Sequence, residues 1–516
     1  MQSAVRHTMR FRTACFLLLL ATISHAWTIL AQQNDRPTQT TRPVPAPDLI
    51  LQGDVRGTEN NTYIGVPFQV PPNIQRLTIH FSYTGKEQHT ALDMGLLDPT
   101  QLRCWSGGNK STLTVSPSDA TPSCLPGVLP PGAWNVLIGV PNIRPNVTSH
   151  YTVQVFFAHT GLISDEPSML REPLRSGPAW YRGDLHMHTG HSDGQCPSQS
   201  GKMVPCPVFF TADAAARRGL DFIAITDHNA TSHYDAMREL QPYFDKVLLI
   251  PGREITTFQG HFNIFGTTQF LDFRLGSQTV PTVNDLWRNA RELGALVSIN
   301  HPRAPSGEIC MGCGFTPASP ADIALVNAIE AVNGGSEDPA YSGIPFWEHQ
   351  LDLGNRLTAI GGSDSHRPMT ALDKPGSVGR PTTVVYAEEL STPAILAAIR
   401  AGHVFIDLTG SPDRILDVTA TDGTETARMG DLLDVPAGAQ IAFKIEVSGL
   451  TEGSVVLLED GKLLQAMTIP SQAQPAMHAS WASDGHRHWF RADVVGPDQK
   501  LLLLGNPVYM NWKSRP

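Results

Sequence analysis

Hydrophobic and polar positions along this 516-residue chain follow three successive rhythms. Over 49–160, short stretches such as 76–81 (R-L-T-I-H-F), 134–138 (W-N-V-L-I) and 151–157 (Y-T-V-Q-V-F-F) alternate with turns rich in Pro, Gly and Asn. A strand with one face buried shows alternate side chains to core and solvent, so this rhythm predicts an N-terminal β-sandwich. Over 176–410 the rhythm changes to short, continuously apolar strands at 222–226, 247–251, 295–300, 329–332 and 357–360. Helical stretches at 207–218, 283–293, 346–353 and 393–401 lie between or after them, the last with Thr392 before it, Pro393 in its first turn and Gly402 at its end. Strand–helix alternation predicts an α/β region with a parallel sheet or barrel, whose chemistry gathers at the C-terminal strand ends. Over 411–516 strand patterns return, at 440–447, 454–458, 488–495 and 500–504, and predict a small C-terminal β domain. The stretch Asn506-Pro507-Val508-Tyr509 is placed to dock it back on the middle region.

The N-terminus adds a location. Arg6, Arg10 and Arg12 precede an apolar run, 14–23, that ends in small residues around Ala26. This is the order of a secretory signal over 1–31, cleaved after Ala26 or Ala31 and followed by a Pro-rich linker over 32–48. An uncleaved anchor is the competing reading, but the run is too short to span a bilayer, and no transmembrane anchor is expected elsewhere. The expected location is exported, periplasmic or extracellular. Removing Cys15 with the signal leaves an even six of the seven cysteines, which suits disulfides in an oxidising compartment. Cys104 with Cys124, Cys196 with Cys206 and Cys310 with Cys313 are the simplest pairs, although cross-pairing is equally allowed. The C-x-x-C at Cys310 could instead hold zinc or act in redox chemistry. A formal net charge of −10 argues against nucleic acid as a partner, since a phosphate backbone needs a basic face. Oligomeric state is not legible.

Candidate chemistry recurs where the middle strands end. R-G-D-L-H-M-H-T-G-H-S-D-G, from Arg182, offers His186 and His188 two residues apart on a strand-like run, hence on one face, and then Asp193. Asp227-His228 follows one strand, Glu254 and then His261 the next, His301 a third, and Asp364 and His366 a fourth. Any one of these has a structural reading. Together, six histidines and three carboxylates at successive strand ends point to a site for divalent cations. Asp364-Ser365-His366 alone is a weak hint of a serine hydrolase, and the single G-x-S-x-G match, Gly190 to Gly194, falls inside the first ligand motif.

H-M-H with S-D-G, then T-D-H, G-R-E, N-H-P and G-S-D-S-H resemble the polymerase and histidinol phosphatase (PHP) superfamily. The G-x-E closely followed by G-H-F-N-I-F-G resembles its CehA/McbA branch, named for carbaryl hydrolases. The resemblance spans roughly 180–408 and leaves both β regions uncovered. It implies a distorted (β/α)7 barrel with two or three divalent ions of Mn, Zn or Fe. By motif, His186, His188, Glu254 and Asp364 would hold one ion, and Glu254 would bridge to a second held by His261 and His301. Asp193, His228 and His366 would hold a third, although some members have His where Asp193 stands. Asp227, Asn263 and Asn300 are candidates to orient the imidazoles. Three dications against three carboxylates would leave about three positive charges, which lower the pKa of bound water and draw anions.

The reading is therefore an exported hydrolase using a metal-bridging hydroxide on ester-type bonds of a small molecule, phosphoesters favoured, carbamates or carboxylic esters the alternative. Arg303 and Arg367 could clamp a phosphate or polarise a carbonyl, and His191 could shuttle protons. Surface ion pairing, or a spectator role, is the plain reading of each. A cell-surface binding protein with a vestigial barrel is the competing class, which the completeness of the ligand set disfavours.

Overall fold

A computed structural model describes residues 46–512, except 107, 109, 160–172, 308–309, 311, 335–338 and 471–475. The expected signal and nearly all of the linker lie outside the described residues. No helix among the described residues is long and apolar enough to cross a membrane.

Residues 49–158 form two four-stranded sheets. Leu49–Arg56, Thr148–Ala158, Arg76–Tyr83 and Thr112–Val115 make one, and Tyr63–Val70, Gly132–Asn142, Ala91–Leu97 and Leu102–Trp105 the other. The pairings are antiparallel, and the alternating inward residues, among them Leu77, Ile79, Trp134, Val136, Val153 and Val155, share one apolar core. The alternation in the sequence thus matches the faces: the Gly132–Asn142 strand buries Trp134, Val136 and Ile138 in turn.

The middle of the chain is a mixed sheet, not a purely parallel one. Arg175–Asp184, Phe222–Ile225 and Leu248–Thr257 run parallel, as do Leu296–Ile299, Ala328–Asn333 and Thr358–Gly362. Between the two sets lies Gly260–Phe265, antiparallel to both neighbours. This strand was not expected. The two-residue connection after Thr257 leaves no room for a crossover helix, so the chain returns as a hairpin. The strand ends also meet through side chains. Gly361 N donates to Thr383 Oγ1 at 2.8 Å, and Thr383 Oγ1 donates to the Gly361 carbonyl at 2.7 Å.

Helices Val208–Arg217, Val283–Glu292, Ile344–Asp352 and Thr392–Ala401 stand where the pattern predicts them. Ser391, not Thr392, caps the last, its hydroxyl accepting from Ala394 N. A further helix, His233–Leu240, was missed. Trp287 and Trp347, 1% and 0% exposed, anchor two of these helices against the sheet. Truncating either to Ala should cost about 3–5 kcal/mol.

Strands from 415 onward pack a core of their own with Val384 and Phe405 from the middle region. They are also continuous with it: Val404–Asp407 pairs antiparallel with Leu501–Gly505. Asn506 docks as expected, its Oδ1 accepting from Ala359 N and its Nδ2 donating to the Ala359 and Val404 carbonyls at 2.8–2.9 Å. On the other side, the buried Asp119–Arg76 pair ties the first region to the second, Asp119 bonding Arg238 and Thr268 and Arg76 bonding Thr268. Cys104 with Cys124, Cys196 with Cys206 and Cys310 with Cys313 have their sulfurs at disulfide distance.

Candidate metal centre

His186 and His188 lie just beyond the Arg175–Asp184 strand rather than within it. The backbone stays extended because Met187 bridges in parallel to Ser365, and the two rings face the same side with centroids 5.2 Å apart. Glu254 lies inside Leu248–Thr257, paired opposite Asn263, and His261 is on the returning strand opposite Thr256. The hairpin therefore brings Glu254 and His261 within 3.3 Å although seven residues separate them in sequence. His301 and Asp364 close the group from loops, with φ of +27° and +52°. Non-glycine residues rarely accept that backbone, and its cost is tolerated where surrounding contacts over-determine it. Gly362 is needed for closure: a Cβ there would collide with His186 and stand 2.6 Å from Glu330 Oε1.

Glu254 is the hub. Its Oε1 lies 3.3 Å from His186 Nε2, 3.3 Å from His261 Nδ1 and 3.2 Å from His301 Nε2, and its Oε2 lies 2.9 Å from His228 Nδ1. Asp364 Oδ1 lies 3.1 Å from His188 Nε2 and 3.5 Å from His186 Nε2. Asp193 Oδ1 lies 3.3 Å from His366 Nε2 and 3.7 Å from His228 Nε2. All nine sequence candidates are thus linked. They fall into overlapping groups whose ligand atoms lie within 4.8 Å of one another: His186, Glu254 and His301; His186, His188 and Asp364; His188, Asp193, His228 and His366; and His261 and His301 with Cys313.

The donors fit divalent cations. His186 Nε2, His261 Nε2 and Glu254 Oε2 are buried without hydrogen-bond partners, a costly arrangement for polar atoms facing only one another. Protonation expresses the same imbalance. Burial disfavours the His186 imidazolium, yet Asp364, Glu330 and Glu254 outweigh it and hold its pKa well above the usual value. Burial likewise opposes the Glu254 and Asp364 carboxylates, but the surrounding imidazoles hold both well below the usual range. Burial wins at His188, whose pKa falls. His366 is pushed up to about 9, against burial, by Asp193 and Asp364, and Asp193 falls to about 2 through His366 and its neighbours. The carboxylates call for positive charge at the imidazoles, which protons or metal ions can supply.

Two carboxylates escaped the sequence reading. Glu330, 2% exposed, accepts from His186 Nδ1 at 2.8 Å and from His301 N at 2.9 Å. It fixes the tautomer that leaves His186 Nε2 facing the cluster. Asp184, fully buried, accepts from Ser363 N and Gly379 N and so positions the segment carrying Asp364. Of the three expected orienting residues, Asn300 donates to Glu254 Oε1 at 3.0 Å. Asp227 instead binds Thr189 and Ser192 in the first motif, and Asn263 binds the Leu185 carbonyl. None of the three touches a candidate imidazole through a hydrogen bond.

Arg303, Arg367 and His191 fall outside these groups. Arg303 is exposed and donates to the Ser342 carbonyl at 3.4 Å. Arg367 is exposed with no side-chain partner among the described residues. His191 is exposed and hydrogen-bonds Ser232 Oγ at 2.8 Å. A cleft of about 830 Å³ opens on the centre, with His301 and Asp364 in its lining. Val332, Ile344, Leu408, Leu501 and Leu502 give it apolar walls, and Arg380 and Lys500 supply cations.

No protein-family model matches the chain, and no curated protein does. Among solved structures it is similar to a two-domain protein from Bacteroides vulgatus containing a predicted PHP-like metal-dependent phosphoesterase. The two are 22% identical with a TM-score of 0.37, over 66% of this chain and 99% of that one.

Proposed function

We propose that the chain is an exported, metal-dependent hydrolase of the PHP type that cleaves ester bonds in a small organic molecule, phosphoesters first. The observation that carries this reading is the meeting of His186, Glu254, His301 and Asp364, from four separate segments of the chain, in two groups that share His186. In this reading His186, His188, Glu254 and Asp364 hold one ion; Glu254, His261 and His301 a second; and Asp193, His228 and His366 a third. When bound, such ions would supply an activated water and Lewis-acid charge for a developing oxyanion. Glu254 sets the spacing, Glu330 and Asn300 hold the donors in orientation, and His301 and Asp364 present the centre to the cleft. The buried Glu330 lowers the residual charge by one, to about two positive charges in place of three, still enough to attract an anion.

The strand run from Arg175 to Gly362 is read as the distorted (β/α)7 barrel, with 49–160 and 411–516 as flanking β domains. The Thr383–Gly361 bonds support closure. The CehA/McbA assignment rests on the motifs at Glu254 and His261, and export rests on the first 31 residues with the paired cysteines. Arg303 and Arg367, neighbours in sequence of His301 and His366, retain the anion-clamp role as a proposal, and His191 that of a proton carrier.

Carbamate or carboxylic ester hydrolysis is the second reading, favoured by the apolar walls of the cleft. Protein loaded with manganese or zinc, assayed on nitrophenyl phosphate, bis-nitrophenyl phosphate and naphthyl methylcarbamate, separates the two. Turnover of phosphoesters is the expected result. Turnover of neither class by metal-loaded protein overturns the hydrolase reading.

A further inference from the structure

The C-x-x-C pair is the one motif of the sequence that the hydrolytic reading leaves without a part. Cys310 and Cys313 both line the cleft, and Cys313 is only 4% exposed. Cys313 Sγ and one ring nitrogen each of His261 and His301 lie within 4.8 Å of one another. One further observation marks this end of the centre as short of a donor. His261 Nε2 is buried without a hydrogen-bond partner, while Nδ1 of the same ring faces Glu254. His301 Nδ1 donates to the Cys313 carbonyl oxygen at 3.2 Å, so the cysteine backbone already holds this imidazole.

We infer that Cys313 is a conditional metal ligand: the Cys310–Cys313 disulfide withholds its sulfur, and opening the disulfide presents a thiolate beside His261 and His301. The inference rests on the proposed reading that these two histidines hold a divalent cation. A dithiol supplies the balance. It donates two electrons and two protons, the S–S bond becomes two thiols, and the dithiol closes to its own disulfide. On cation binding, the Cys313 thiol gives its proton to solvent. A thiolate is a softer donor than the carboxylates of the centre, so this form turns toward thiophilic ions such as zinc or cobalt(II), away from manganese.

The full chain loaded with cobalt(II) tests this by absorption spectroscopy with cobalt content measured in parallel. A sulfur-to-cobalt charge-transfer band in the near ultraviolet should be missing from the oxidised protein and appear after reduction. Cys310→Ser, which frees Cys313 without reductant, should show the band at once. Cys313→Ser should lack it before and after reduction, and that variant also controls for thiols released from the other cysteine pairs. Cobalt bound to Cys310→Ser without the band overturns the inference and leaves the metal centre standing. No cobalt bound in any form overturns both.

Discussion

His186, His188 and Glu254 are 0% exposed and His301 7%, whereas the side chains of His366 and Asp193 are 37% and 57% exposed. The two ends of one centre therefore solve the same charge problem in different media. In the buried end, imidazoles and carboxylates face one another at 3.2–3.6 Å with almost no water to screen them, so each charge depends on its neighbours. Removing one partner there strands the others, a cost that commonly runs to about 3–5 kcal/mol for a buried pair. At the exposed end, water can take over from a missing partner, and ion pairs contribute little. The buried ions should be integral to the fold, and the outer one exchangeable.

The strongest way to break this comparison is Glu254→Gln, which keeps volume and removes the hub charge. Loss of activity on the order of a thousandfold is expected, because several kcal/mol of metal-centred stabilisation go with it. Metal content should fall by more than one ion per chain and the melting temperature should drop with it, while circular dichroism well below that temperature stays close to that of the parent. Full metal content in this variant would remove Glu254 from the hub.

Glu330→Gln sharpens the same contrast from outside the ligand set. Its carboxylate touches His186 Nδ1 and His301 N, so the amide changes orientation and basicity without deleting a donor. Affinity for the buried ions should drop about 10–100-fold, measured by competition with a chelator of known strength. An unchanged affinity would reduce Glu330 to a packing residue. At the exposed end, His366→Ala should lose one ion and about tenfold in activity, with melting temperature nearly constant, because water replaces the ring. Simultaneous loss of every ion from this variant would mean that the two ends do not act separately.

How far these residues were legible follows their physics. The alternating faces of 49–158 and the caps and apolar stripes of most helices are local signals, and they located their elements closely. The ligand-type residues announced themselves by chemistry at strand ends. What escaped was non-local or masked by another signal. Glu330 sits in Ile329-Glu330-Ala331-Val332, where a lone carboxylate in an apolar strand already demanded a buried partner. The Gly260–Phe265 strand was taken up into its motif, although His261 and Asn263 alternate with the core residues Phe262 and Ile264. The His233–Leu240 helix is polar on balance, and its stripe of Tyr234, Met237 and Arg238 shows only once the strands it covers are known. Nor could sequence show that Leu501–Gly505 continues the middle sheet, since pairing partners across about a hundred residues leave no local trace.

The smallest expected effect is a proton count, and it reads the exposed end directly. Without a cation, His366 has its pKa pushed up to about 9, so near pH 7.5 its ring is largely protonated. A metal ion needs the neutral ring, so loading this end at pH 7.5 should release close to one proton from His366. Asp193, held down to about 2, is already ionised and releases none. The sign is fixed by these directions: affinity rises with pH up to about 9 and then levels, and proton release fades over the same range. The stability that the raised pKa gives the metal-free pair runs the other way, complete below the ordinary histidine value and lost as pH climbs through about 9. Calorimetric titration in buffers of different ionisation enthalpy separates the proton count from the binding heat. In His366→Ala the release assigned to this ring should vanish while that of the buried end persists. Equal release from the parent and the variant would place the proton elsewhere, and with it the claim that solvent exposure divides the centre into two kinds of site.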